Sequence, residues 1–263
     1  MAASETLTAA PATDDAGFRA VLEIADDCLI LGHRLSEWCG HAPSLEEDLA
    51  LANMGLDLLG QARALYAHLG AIEGKGRSED DLAFLRRERD YLNCLLVERR
   101  NGDFAVTMAR QLYFAAFMQP FWRAIAGTST DTTLAGIAAK AEKEMAYHLR
   151  HSGEWVIRLG DGTEESAARM QAAVDELHRY TGELFIASPA RSRAVAEGLL
   201  PDAETLRPEW ERTIATVFAE AGLTAPEVRI PQKGGRDGKH GEDMGHLLAE
   251  LQFMQRAYPG QTW

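Results

Sequence analysis

The sequence predicts an all-α protein built as a helical bundle, and three observations carry that expectation. Helical hydrophobic periodicity runs through most of the 263 residues with little strand signal. The helices are long and joined by short loops, which makes sequence neighbours antiparallel. The stretch AKAEKEMAYHLRHSGEWVIRLGDGT (139–163) is a helix with acid and imidazole groups on its apolar side. With Glu144 as origin and about 100° per residue, Ile137, Ala141, His148, His151 and Trp155 fall in a narrow arc around it. Carboxylate and imidazole groups aimed into a helical core point to a bundle built around a metal site.

A first helix is expected over 17–39, ending near His41-Ala-Pro43. A second runs over 45–70, with Ser44 as N-cap and Gly70 as its stop. Residues 70–80 form a loop, a third helix covers 80–99, and Asn101-Gly102 turns the chain. A fourth helix over 103–126 starts at Asp103 and is kinked by Pro120. The fifth spans 131–159 and stops at Gly160-Asp-Gly162; a sixth covers 163–186. Loop and short turns occupy 187–208, a seventh helix 208–221, an extended loop 222–241 and a last helix 242–257. The expected division is a loose tail over 1–16 and a single helical domain over 17–263.

Composition narrows the function. Apolar residues make up 46% and charged residues 25%, as in ordinary globular proteins. A net charge of −13 argues against nucleic acid or an anionic membrane surface as main partner. No apolar run is long enough to span a bilayer, and the first residues have neither the basic nor the apolar region of a signal peptide. Three cysteines without a CxxC pair fit reduced thiols and a cytoplasmic location. Cys28 and Cys39 lie about 16 Å apart along one helix, too far for a disulfide, and all three thiols read as small buried hydrophobes.

The second helix is apolar on nearly every side, which places it in the middle of the assembly. Its polar exceptions Asn53, Asp57 and Gln61 lie on one line, four residues apart. Either Asp57 joins a polar cluster with Lys140, Lys143 or His148, or the line faces solvent or another protein chain. A di-iron carboxylate bundle needs a Glu-x-x-His pair on each of two helices. No glutamate here has a histidine three residues on; Glu144 and His148 are four apart. Asp-x-x-His occurs at Asp175/His178, Asp237/His240 and Asp243/His246, hardly more often than composition alone would scatter. The expectation is therefore no metal site and no catalytic residue, with Asp57, Glu144 and His148 as remnants of one. The glycine-rich loop PQKGGRDGKHG (231–241) lacks the phosphate-loop pattern but carries Lys233, Arg236 and Lys239, a candidate contact for an anion such as coenzyme A or for a partner. The fourth helix carries Met108, Tyr113, Phe114, Phe117, Met118, Phe121 and Trp122, too many for one face; Phe117 and Trp122 are candidates for an interface with a partner chain.

Long strings then point to a family. CLILGHRLSEWCGHAP (28–43), DLALANMGLDLLGQAR (48–63), RNGDFAVTMARQ (100–111), the 139–163 helix and GHLLAELQFMQRAYPGQTW (245–263) resemble the C subunits of phenylacetyl-CoA epoxidases, multicomponent ring monooxygenases. The resemblance covers nearly the whole chain from about residue 18. It implies a ferritin-like four-helix bundle with additional helices, and membership of a complex that inserts one oxygen atom of O2 into the ring of phenylacetyl-CoA. It further implies that a catalytic sister subunit of the same fold holds the di-iron centre, and that a small subunit and an NADPH-, FAD- and 2Fe-2S-dependent reductase complete the complex. This chain would then be a non-catalytic scaffold binding no cofactor. The rival readings are an active di-iron oxygenase with irregular ligands, and an acyl-CoA-binding module using the 231–241 loop.

Overall fold

A computed structural model describes residues 16–261; the tail expected over 1–16 lies outside them but for its last residue. The described chain is all-α, a ferritin-like bundle of four long helices with shorter helices around it. The four are α1 (Ala16–Ser36), α2 (Leu45–Glu73), α5 (Phe104–Thr128) and α6 (Thr132–Gly160). Between α2 and α5 lie α3 (Glu79–Phe84) and α4 (Leu95–Glu98). After α6 come α7 (Glu164–Leu177), α8 (Pro189–Ala196), α9 (Arg207–Ala221), α10 (Glu242–Leu251) and α11 (Phe253–Ala257). α1 pairs with α2 and α5 with α6, and α2 lies against α6 to join the two hairpins.

Side-chain oxygens start the long helices where expected. Ser44 accepts from the Glu47 amide, Asp103 from Val106 and Asp131 from Leu134, each satisfying a free amide of the first turn. α2 does not stop at Gly70; it continues to Gly74, which adopts the left-handed conformation at φ 66°. α5 passes through Pro120 as one helix.

The helix expected over 80–99 is instead two short helices separated by a 3-10 turn (Glu88–Asp90) and extended backbone. The cause lies on α1, which buries three acids, Glu23, Asp26 and Asp27. Asp26 accepts the Leu92 amide at 2.7 Å, Asp27 the Cys94 amide at 2.7 Å, and Glu183 the Leu95 amide at 2.7 Å. Those amides are bonded from outside and take no part in a helical ladder. The same acids meet arginines: Asp26 with Arg86, Asp27 with Arg236 at 2.6 Å, and Glu23 with Arg191 at 2.7 Å. Pairing is what makes such buried charges tolerable. The sixth helix also ends early, its last third being a 3-10 segment (His178–Phe185), and the 187–208 stretch contains α8.

The helix buried all round is α5, not α2. Met108, Tyr113, Phe114, Phe117, Met118, Phe121 and Trp122 are all enclosed in the chain's own core. Phe117 stacks on Phe121 at 5.3 Å and meets Phe185 edge-on at 5.2 Å. With Phe117 1% and Trp122 0% exposed, neither is available to a partner chain; their crowding on α5 reflects neighbours on every side, α6, α7 and α9 among them. α2, by contrast, leaves Leu45, Leu49 and Leu56 in solvent.

Candidate functional site

The four long helices converge on one polar cluster, separate from the buried acid–arginine pairs of α1. α2 supplies Asp57 and Gln61, one turn apart; α6 supplies Glu144 and His148, also one turn apart; α5 supplies Gln111 and α1 supplies Cys28. Of the remnant candidates, Asp57 and His148 are brought together at 3.2 Å. Glu144 sits one rung along, bonded to Gln61 Nε2 at 2.9 Å and to Lys140 Nζ at 2.9 Å. Lys140 is held above the ordinary lysine range by its hydrogen bond to Glu144 and by that carboxylate's charge. Lys143 is exposed and Asn53 faces solvent, so neither joins the cluster.

Proton placement follows from the partners. Asp57 only accepts, so His148 Nε2 carries a proton toward it, and His148 Nδ1 accepts from the Gln111 amide at 3.0 Å. Gln61 Oε1 in turn lies 3.6 Å from the Cys28 thiol, whose pKa is raised by burial and by the Asp27 charge. Both imidazole nitrogens and the Glu144 carboxylate are thus engaged by side chains of the chain itself. Among the described residues no group of three or more His, Cys, Asp or Glu side chains is arranged to hold a metal ion. The donor set does not fit a di-iron pair: at the heart of the cluster two positions are amides, which are poor ligands beside carboxylates, and one is a thiol kept protonated.

The Asp-x-x-His pairs disperse likewise. His178 takes the Tyr113 hydroxyl at 3.0 Å while Asp175 accepts from Gln171; His240 pairs with Glu98 rather than Asp237; Asp243 pairs with Arg99 and Arg100. Burial lowers the His178 pKa and raises that of Tyr113, which keeps both neutral.

The basic loop divides. Lys233 and Lys239 are exposed, but Arg236 is 4% exposed and forms a two-pronged ion pair with Asp27, so it is not free to meet coenzyme A or a partner. Its glycines serve close approach rather than anion binding: a Cβ on Gly235 would lie 2.1 Å from the Asn93 carbonyl, and one on Gly238, at φ +69°, 2.2 Å from that of Arg89. Cys28 and Cys94 are buried, while Cys39 is exposed, so only two of the three thiols are core residues.

Gln111 is the member of the cluster that sequence reasoning missed. Its signal is faint: a single amide in a run of apolar residues on α5, next to Arg110. Gln61 was visible through its four-residue line with Asp57; Cys28 was expected to be buried, but only as a small hydrophobe and not as a member of the cluster.

The fold and the cluster define a class: ferritin-like bundles whose central side chains bond to one another. The comparisons narrow it. The chain matches the family described as phenylacetic acid catabolic protein over residues 1–263, and it belongs to that family. It is 48% identical over 242 residues to the C subunit of the 1,2-phenylacetyl-CoA epoxidase of Escherichia coli (strain K12), covering 92% of this chain and 97% of that one. No helix among the described residues is long and apolar enough to cross a membrane.

Proposed function

We propose that this chain is a non-catalytic structural subunit of a multicomponent di-iron phenylacetyl-CoA 1,2-epoxidase in aerobic phenylacetate degradation. It scaffolds a catalytic sister subunit of the same fold, which holds the metal pair; a further small subunit and an NADPH-, FAD- and 2Fe-2S-dependent reductase complete a cytoplasmic complex. This chain binds no cofactor of its own. The observation that carries the reading is the central cluster, where Gln61 and Gln111 occupy Glu144 and His148 in the part of the bundle that would otherwise bind iron. The relationship to the Escherichia coli epoxidase chain supports it.

The test is iron content and turnover. After anaerobic Fe(II) loading, the isolated chain is expected to retain far less than one iron per molecule and to leave phenylacetyl-CoA unchanged. The same chain added to the catalytic subunit and reductase is expected to restore epoxide formation. A stoichiometric, oxygen-reactive metal pair in the isolated chain would overturn the reading.

A further inference from the structure

The last two helices are lightly held. α10 and α11 pack chiefly on each other and on the 88–90 turn, and their fully buried apolar side chains are Met244, Leu247 and Leu248. Segments with so little apolar burial open locally before the whole fold does. Their other attachments are polar. Gln252 donates to the Arg86 carbonyl and the Tyr91 hydroxyl, Arg256 to the Arg86 carbonyl, and Asp243 pairs with Arg99 and Arg100. Ahead of them Arg236 pins the loop to Asp27 with a charge that is always present. His240 stands between the pinned loop and α10. Its side chain is fully buried between two acceptors, a Glu98 oxygen at 2.7 Å and the Tyr91 carbonyl at 2.9 Å. Without its second proton, one ring nitrogen becomes an acceptor that faces an acceptor.

The charged groups around His240 keep their charge through neutral and mildly alkaline pH. They are Glu98 on α4, Asp26 on α1 with its partner Arg86, Arg99 beside Gly241, and the exposed Asp237 and Lys239 of the loop itself. Two more histidines lie where α1 meets α10. His246 is exposed, so opening changes its surroundings little. His33 faces Glu37 and Glu250, and burial lowers its pKa, which puts its titration on the acid side. We infer that residues 239–261 form a latched arm: imidazolium His240 clasps it to α4 and the 91–94 segment, and the arm opens more often as that proton is lost, while the four long helices stay closed. Opening releases a proton, because burial in the closed form is outweighed by the Glu98 hydrogen bond and charge, which hold the proton more tightly there than in water. Opening therefore rises with pH.

The test is hydrogen exchange of the full chain by mass spectrometry from about pH 6 to about pH 9, corrected for the intrinsic pH dependence of amide exchange. Peptides from 242–261 are expected to exchange up to about tenfold faster per pH unit above about pH 6.5, with α1, α2, α5 and α6 unchanged. In His240→Gln, which has no titrating ring, the arm is expected to exchange fast throughout, without a pH slope. The wild-type profile decides by itself, whether or not the variant folds. Corrected exchange of 242–261 that is flat across the range would overturn the arm. So would a 242–261 segment that opens together with α1 and α5, since the event is then global unfolding. A folded His240→Gln chain that keeps the wild-type slope would overturn the assignment of the latch to His240.

Discussion

His240 and Glu98 form a buried pair in which the imidazole has an acceptor at each nitrogen. Nδ1 lies 2.7 Å from a Glu98 oxygen and Nε2 2.9 Å from the Tyr91 carbonyl. Neither partner can donate, so the ring satisfies both only as the imidazolium. Burial disfavours that charge, but the Glu98 hydrogen bond and charge outweigh it and raise the pKa above the ordinary histidine value; the Tyr91 carbonyl and Asp26 add to the effect. The other Glu98 oxygen accepts the Gly241 amide at 2.6 Å, so the pair ties the 231–241 loop to α4.

Stability therefore depends on pH with a definite sign. A raised folded-state pKa contributes stability that is complete below the unfolded value, near 6.5, and is lost as pH rises through the folded value. Melting curves of the wild type are expected to fall in Tm from about pH 6.5 upward. In His240→Gln, Tm should start lower and this component of the decline should vanish. Parallel curves for the two proteins would refute the assignment.

Arg236 and Asp27 provide a second test. Removing one partner of a buried ion pair leaves an uncompensated charge and costs about 3–5 kcal/mol, whereas replacing both is far milder. Arg236→Met and Asp27→Asn are each expected to lower unfolding free energy by that order in urea titrations. The double variant should lose clearly less than the two losses added. Arg236 also donates to the Glu23 and Leu92 carbonyls, whereas an asparagine can still accept the Cys94 amide, so Arg236→Met should be the harsher of the two.

How far these features could be read in advance differs from element to element. α1, α2, α5 and α6 were legible to within a few residues, because their apolar periodicity is sustained and Ser44 and Asp103 mark the starts of α2 and α5. The 80–99 segment was not, since its conformation is decided by Asp26, Asp27 and Glu183, which are distant in sequence. The wheel also cannot say which of two helices apolar on all sides lies at the centre; α5 took that place and α2 the edge. In the cluster, Asp57 and His148 were legible from spacing, but Gln111 was not, because a lone amide among apolar residues carries no periodic signal.

The position of α5 changes what substitutions there should do. Phe117→Asp or Trp122→Asp puts a carboxylate in the chain's own core and is expected to prevent folding of the isolated chain, seen as loss of soluble protein or of near-ultraviolet circular dichroism. Phe117→Ala should fold but lose about 3–5 kcal/mol through the cavity left among Phe121 and Phe185. A Phe117→Asp chain that folds normally but fails to assemble would restore the residue to an interface.

Gln61 and Glu144 test whether the central cluster is a closed network. Glu144 takes its inward hydrogen bond from Gln61 and its outward one from Lys140. Gln61→Leu leaves the inward oxygen without a donor and should destabilise the chain by about 1–3 kcal/mol. Lys140→Ala removes an ion pair whose lysine stands in solvent and should cost no more than about 1 kcal/mol. In Gln61→Glu two carboxylates face each other on adjacent helices, and one of them should protonate well above the ordinary range. The loss of stability in that variant should therefore shrink as pH is lowered toward 5. A Gln61→Glu chain as stable as the wild type at pH 8 would mean that the cluster admits water or a cation, and that the amides of Gln61 and Gln111 are not what closes it.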